Sequence, residues 1–258
     1  MRPTTLLALG STLVLSLLLA APGALLADHH RGAAPPLATK LSEADRPDDD
    51  KARDAGRRPA EMMVFLGVAP GMTALDLVAA GGYYTEVLSV TVGPDGQVYA
   101  QNNEYVLKLR DGVNEKAISA RLANGRLPNV QRLDREVSDL GLEPDSVDVA
   151  ITALNFHDIY NGRGPEAAAS FLANVFAVLK PGGVLGIIDH VGDRDKDNKE
   201  LHRVEEAKTV EAAKAAGFVV EARSQALHAA DDDHTKNVFD PSIRGKTDRF
   251  ALRLRKPR

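Results

Sequence analysis

The chain has 258 residues, a formal net charge of −4 and 44% hydrophobic residues. That length and apolar content suit one substantial core. The charge and the lack of a basic tract or an aromatic-interleaved basic patch speak against nucleic-acid binding. With no cysteine at all, disulfides and thiolate metal sites are excluded.

In chain order, Arg2 is followed by an apolar run from Leu6 to Ala21 and then by small residues up to Ala27. A charged start, a Leu-rich middle and a small-residue end predict a signal peptide over 1–27, cut after Ala27 in preference to Gly23, with a periplasmic or secreted mature protein. An uncleaved anchor is the alternative. Residues 28–58 read as a polar extension, flexible at first and containing a short helix over about 47–54. Asp48, Asp49 and Asp50 favour the positive first turn of that helix, and Arg57-Arg58-Pro59 ends it. A further helix covers Glu61–Leu66.

Ala74–Val78 is an apolar strand carrying one acid, Asp76. Ala79–Gly82 has no side chain larger than a methyl group, and Tyr83–Val90 has helical spacing. A strand feeding a helix through such a turn points backbone N–H groups and the positive helix end at a ligand. Helix–strand packing alone also asks for small residues there. Gly96–Asn102 is a second strand ending in polar residues. Leu140–Thr152 leads into and forms another strand, and Ala153–Tyr160 lies at its carboxyl end. A helix over Phe171–Leu179, a Pro-Gly-Gly turn to Gly183, and a strand over Val184–Asp189 follow. Leu201–Gly217 reads as a long helix, and Phe218–Leu227 and Asp248–Arg255 as two final strands.

The segment from Asp76 to Gly82 resembles motif I of the class I S-adenosylmethionine (SAM)-dependent methyltransferases, with Val78 and Ala80 on two positions where that family has glycine. A β-branched residue adopts positive φ at a cost of about 1–2 kcal/mol. The Leu-Lys-Pro-Gly-Gly segment and the approach Leu140–Thr152 also resemble this family. Together the motifs run over about 60–256. The resemblance implies an α/β fold over 59–258: a Rossmann-like, seven-stranded, mostly parallel sheet with a C-terminal antiparallel hairpin and helices on both faces. It implies SAM as cofactor, held by Asp76, Val78, Ala80, Gly81, Gly82, Tyr83, Asn102, Glu136, Val137 and Asn155. Asn102 and Asn103 stand where the family has a ribose-binding acid, and Asn102→Asp is expected to tighten binding if Asn102 faces the ribose. Tyr83 either lies over the cofactor or packs on the sheet.

Ligands of open α/β sheets bind outside the carboxyl ends of the strands. Histidine there can take a proton from an oxygen or nitrogen acceptor. His190, beside Asp189 and with its pKa expected to be raised by that acid, is the first candidate base and His157 the second. Each also reads as a loop histidine bonded to backbone. Arg244–Asp248 reads as a surface turn or a cap on the pocket. His190, His202, His228 and His234 with Asp231–Asp233 match no compact metal motif, so no metal is expected. The implied activity is methyl transfer to a small-molecule acceptor at O or N. The alternative is an exported, non-catalytic small-ligand-binding protein. Oligomeric state is not legible.

Overall fold

A computed structural model describes residues 34–258 and Met1. The predicted signal peptide therefore lies outside the described residues. In chain order the helices are α1 (Ala34–Glu43), α2 (Asp48–Arg57), α3 (Pro59–Leu66), α4 (Tyr83–Val92), α5 (Glu104–Leu122), α6 (Pro165–Val178) and α7 (Glu206–Ala215). The strands are β1 (Thr73–Leu77), β2 (Gln97–Asn102), β3 (Val130–Asp134), β4 (Val147–Ala153), β5 (Leu179–His190), β6 (Val219–Ser224) and β7 (Arg249–Arg255).

They form one seven-stranded sheet in the order β3-β2-β1-β4-β5-β7-β6. β1 to β5 are mutually parallel, and β7 runs antiparallel to both β5 and β6. Successive strand residues face opposite sides, which divides the core in two. Leu75 and Leu77 join Ala150, Ile187 and Leu252 beneath α6 and α7. Ala74 joins Val149, Ile151 and Ile188 beneath α1, α3 and α4. Each fully buried Leu or Ile contributes about 1.5–3 kcal/mol. The same alternation puts Asp76 on the α4 side. At Gly186 in β5 a Cβ would come within 2.6 Å of Leu66, so glycine there lets α3 seat on the sheet.

The predicted Lys-Pro-Gly-Gly turn lies inside β5. Val147 pairs with Leu179 and Val149 with Val184, so 180–183 loop out between two paired positions. The predicted helix from Leu201 is shorter than expected. Its first residues form a turn, with His202 at φ 53° and Val204 bridged to Val191. The side chain of Arg203 is buried on Asp232, at 2.9 Å through both guanidinium nitrogens, and this fixes the segment off the helical path. The extension read as flexible holds α1, whose Leu41 is buried against the α3–α4 layer. No helix among the described residues is long and apolar enough to cross a membrane.

Candidate active site

β1 and β4 are neighbours, and their carboxyl ends open on a cavity of about 750 Å³. Asp76 and the turn Val78–Gly81 form its floor, and Leu154 and Asn155 form one wall. Ala117 and Arg121 of α5 form another, and Asp50, Arg53 and Arg57 of α2 lie across it.

Asp76 is 3% exposed. Burial pushes its carboxyl up to about 7, against the hydrogen bond from Thr85. The Thr85 hydroxyl, one turn into α4, donates to Asp76 at 2.6 Å. The turn that follows holds Val78 at φ 54° and Ala80 at φ 50°, the left-handed region that costs an L side chain energy. Its hydrogen bonds account for how this is sustained. The Val78 N–H donates to Gln101 Oε1 at 3.0 Å, the Ala79 N–H to the Gln101 carbonyl at 2.9 Å, and the Ala80 N–H to Asn102 Oδ1 at 2.8 Å. Asn102 also donates to the Ala80 carbonyl at 3.1 Å.

These bonds correct two expectations. The first three N–H groups of the turn are satisfied by β2 rather than turned toward a ligand. Asn102 is 1% exposed, with both ends of its amide engaged by Ala80, so it holds the turn and does not face a ribose. An acid could accept from the Ala80 N–H but could not donate to its carbonyl.

The other predicted cofactor residues divide. Asp76, Val78, Ala80, Gly81, Tyr83 and Asn155 line the cavity; Gly82, Asn102, Glu136 and Val137 do not. Gly82, at φ 84°, precedes α4 and packs on α5, where an added Cβ would lie 2.7 Å from Ile118. Asn103, which caps α5 by accepting the Val106 N–H, donates to Glu136 at 3.0 Å. This pair joins the ends of β2 and β3. Asn155 donates to the Val78 carbonyl at 3.2 Å and ties the turn to β4.

Tyr83 both packs and lines the cavity. Its hydroxyl donates to Asp54 at 2.6 Å, and the Arg57 guanidinium lies 4.4 Å from its ring centre. Asp54 is held in turn by Arg46. Arg57 lines the cavity with its guanidinium over the Tyr83 ring and makes no ion pair with the described residues. Beneath α2 runs a buried ion network: Glu86 pairs with Arg121 and Arg126, and Arg121 with Asp50 at 2.7 Å. The sequence marked Asp50 and Arg57 only as helix-start and helix-end residues, and none of these α2 and α5 residues as part of a site. They belong to elements whose polar faces give no periodic signal, and the chain is brought together only by the tertiary fold.

The two histidines differ. His157 Nδ1 donates to Asp189 Oδ1 at 2.7 Å, and its backbone N–H donates to Asp189 Oδ2 at 2.8 Å. Burial lowers the His157 pKa, but the charge and hydrogen bond of Asp189 outweigh it, and the net shift is upward. His190 goes the other way. Burial, with His157, Arg249 and Arg203 nearby, pushes it down to about 3 although Asp189 is adjacent. The expectation of a raised His190 pKa is thus reversed, because burial outweighs the charge of Asp189. Arg249 donates to Thr247 Oγ1, leaving the threonine hydroxyl to donate to His190 Nδ1 at 2.8 Å. His190 is neutral, 8% exposed and occupied.

Beyond His157, Asp158 Oδ1 lies 3.5 Å from His157 Nε2 and 3.1 Å from His202 Nδ1. The segments carrying these residues lie 44 positions apart, and only the topology brings them together. Arg244–Gly245 turns at the molecular surface, and Gly245 accepts from Arg249.

No protein-family model matches the chain. An arsenite methyltransferase of Halobacterium salinarum is 29% identical over 140 residues, 54% of this chain and 32% of that protein. The chain thus spans about a third of the length of this curated relative. Among solved structures, a SAM-dependent methyltransferase from Aquifex aeolicus superposes with a TM-score of 0.58 at 22% identity, over 83% of this chain and all of that one. An arsenic(III) S-adenosylmethionine methyltransferase from Chlamydomonas reinhardtii gives 0.53 at 18% identity, over 88% and 75%. The chain has the class I SAM-dependent methyltransferase fold.

Proposed function

We propose that this protein is a SAM-dependent methyltransferase acting on a small molecule at oxygen or nitrogen. The observation that carries the proposal is the cavity at the carboxyl ends of β1 and β4, lined by a buried acid and by an arginine that makes no ion pair with the described residues. That donor set fits the amino-acid end of SAM: Asp76 for the ammonium and Arg57 for the carboxylate. When bound, SAM supplies a methyl carbon made electrophilic by its sulfonium. The chain's own work is alignment and exclusion of water. Tyr83, fixed by Asp54, walls the cavity, and α2 covers it.

On the acceptor side the proposal rests on His157 rather than His190. Asp189 fixes the ring through Nδ1, which leaves Nε2 with a lone pair for the hydrogen of an acceptor O–H or N–H. The two relatives named for arsenic act on a thiophilic ion. Soft ions select thiolates, and this chain has none, which favours an oxygen or nitrogen acceptor. A non-catalytic ligand-binding role is the second reading, supported by a turn whose first three N–H groups are already satisfied. We also propose export, on the pattern of residues 1–27; a native protein beginning at Asp28 supports it, and an intact Met1 opposes it.

The test is transfer of labelled methyl from SAM to a small-molecule extract, with SAM affinity measured on the same samples. His157→Gln is expected to lower turnover about 10²-fold with affinity unchanged. Affinity for SAM without any labelled product would favour the binding role.

A further inference from the structure

We infer that His157, Asp158 and His202 form a binding site for a divalent transition-metal ion. Their ligand atoms lie within 4.8 Å of one another. Around a tetrahedral ion with bonds of about 2.0–2.1 Å, ligand atoms are separated by about 3.3 Å. The two separations that involve Asp158 Oδ1, 3.5 and 3.1 Å, bracket that value. One carboxylate oxygen between two imidazoles is already close to the arrangement an ion would require.

The support behind these residues points the same way. A metal-bound histidine commonly donates its other ring N–H to a carboxylate, which fixes the ring and makes the ligating nitrogen more basic. Asp189, fully buried, receives His157 Nδ1 at 2.7 Å and leaves Nε2 toward Asp158. Asp158 opens a π-helical turn over Asp158–Gly162, an irregularity frequent at functional sites. His202 is held at φ 53°, and the edge contact of Phe239 at 4.9 Å orients its ring. Asn161 donates to the Arg203 carbonyl at 2.6 Å, locking the two ligand-bearing segments together.

Two imidazoles and one carboxylate suit Zn²⁺, Fe²⁺, Co²⁺ or Ni²⁺, whereas Mg²⁺ and Ca²⁺ want oxygen ligands alone. Three protein ligands leave a coordination position open, as in catalytic sites. Asp158 and His202 are 64% and 34% exposed at the side chain, which gives an ion access from solvent. An ion there would take the place of the acceptor's hydrogen at His157 Nε2. The site rests on its ligand atoms and does not depend on the methyl-transfer reading.

The experiment is calorimetric titration of the metal-free full-length protein with Zn²⁺, repeated with Co²⁺ and followed by visible absorption. The expected result is one equivalent bound at about micromolar affinity or tighter, with the Co²⁺ spectrum of a low-symmetry nitrogen–oxygen site. His202→Ala is expected to weaken binding about tenfold or more, with the circular dichroism spectrum retained. Asp158→Asn, at an exposed position, gives the same answer should His202→Ala fail to fold. SAM is absent throughout, so failure here leaves the methyl-transfer proposal standing. No Zn²⁺ binding at micromolar concentrations would overturn the inference. So would binding that survives both variants but is lost in His234→Ala, where Asp193 and Asp248 flank another histidine.

Discussion

Asp76 lies at the end of β1, out of water, with one hydroxyl donor and a carboxyl pushed from the ordinary 3.8 up to about 7. The folded state therefore keeps the Asp76 proton between about pH 4 and 7 while the unfolded chain has lost it. Stability from this group is fully present below pH 4 and declines as pH rises to 7. At about 1.4 kcal/mol per pKa unit, the decline is at most about 4 kcal/mol. Asp76→Asn cannot titrate and can still accept from Thr85. Urea denaturation of both proteins across that range is expected to show the variant gaining on wild type as pH rises. Parallel curves would mean that Asp76 is ionised throughout. Asn102 offers the sharper contrast with expectation. Replacing it by Asp removes the donor to the Ala80 carbonyl and sets a buried charge against that oxygen. The expected result is a loss of about 1–3 kcal/mol in stability and no gain in SAM affinity. A tighter, equally stable Asn102→Asp protein would restore the ribose-facing role.

At the scale of elements, α2 and α5 decide what the glycine turn can reach. Glu86, in the first turn of α4, is buried between Arg121 of α5 and Arg126, and Arg121 passes the link to Asp50 of α2. A buried ion pair that loses one partner leaves an uncompensated charge. Glu86→Gln is therefore expected to cost about 3 kcal/mol in urea denaturation and to make α2 more susceptible to limited proteolysis. Unchanged stability and cleavage would show that α2 is held by Tyr83 and Asp54 alone. The parallel strands β1, β2, β4 and β5 were legible because burial on both faces writes them as apolar runs. β3 was not read: it is an edge strand spelled Val-Gln-Arg-Leu-Asp, of which only Leu133 is fully buried. α5 escaped because it is polar and kinked, with Arg110, Asp111 and Gly112 all at positive φ. In the site, Asp76 and the turn were legible from order and residue size. The roles of Asn102, Arg57 and His202 were not, since each depends on a partner distant in sequence.

For the molecule as a whole, a sheet whose strand order reverses between β1 and β4 opens a cavity at the carboxyl ends of those two strands. Helices α2 and α5 narrow it, and the histidine cluster lies just beyond β4 and β5. The central claim is that this cavity takes SAM, and equilibrium titration tests it most directly. The full-length protein is titrated with SAM and with S-adenosylhomocysteine by calorimetry, and Asp76→Asn is run alongside. The account predicts one-to-one binding with Kd between about 1 μM and a few hundred μM, weakened about tenfold or more in the variant. No heat and no thermal shift at about millimolar SAM would contradict it.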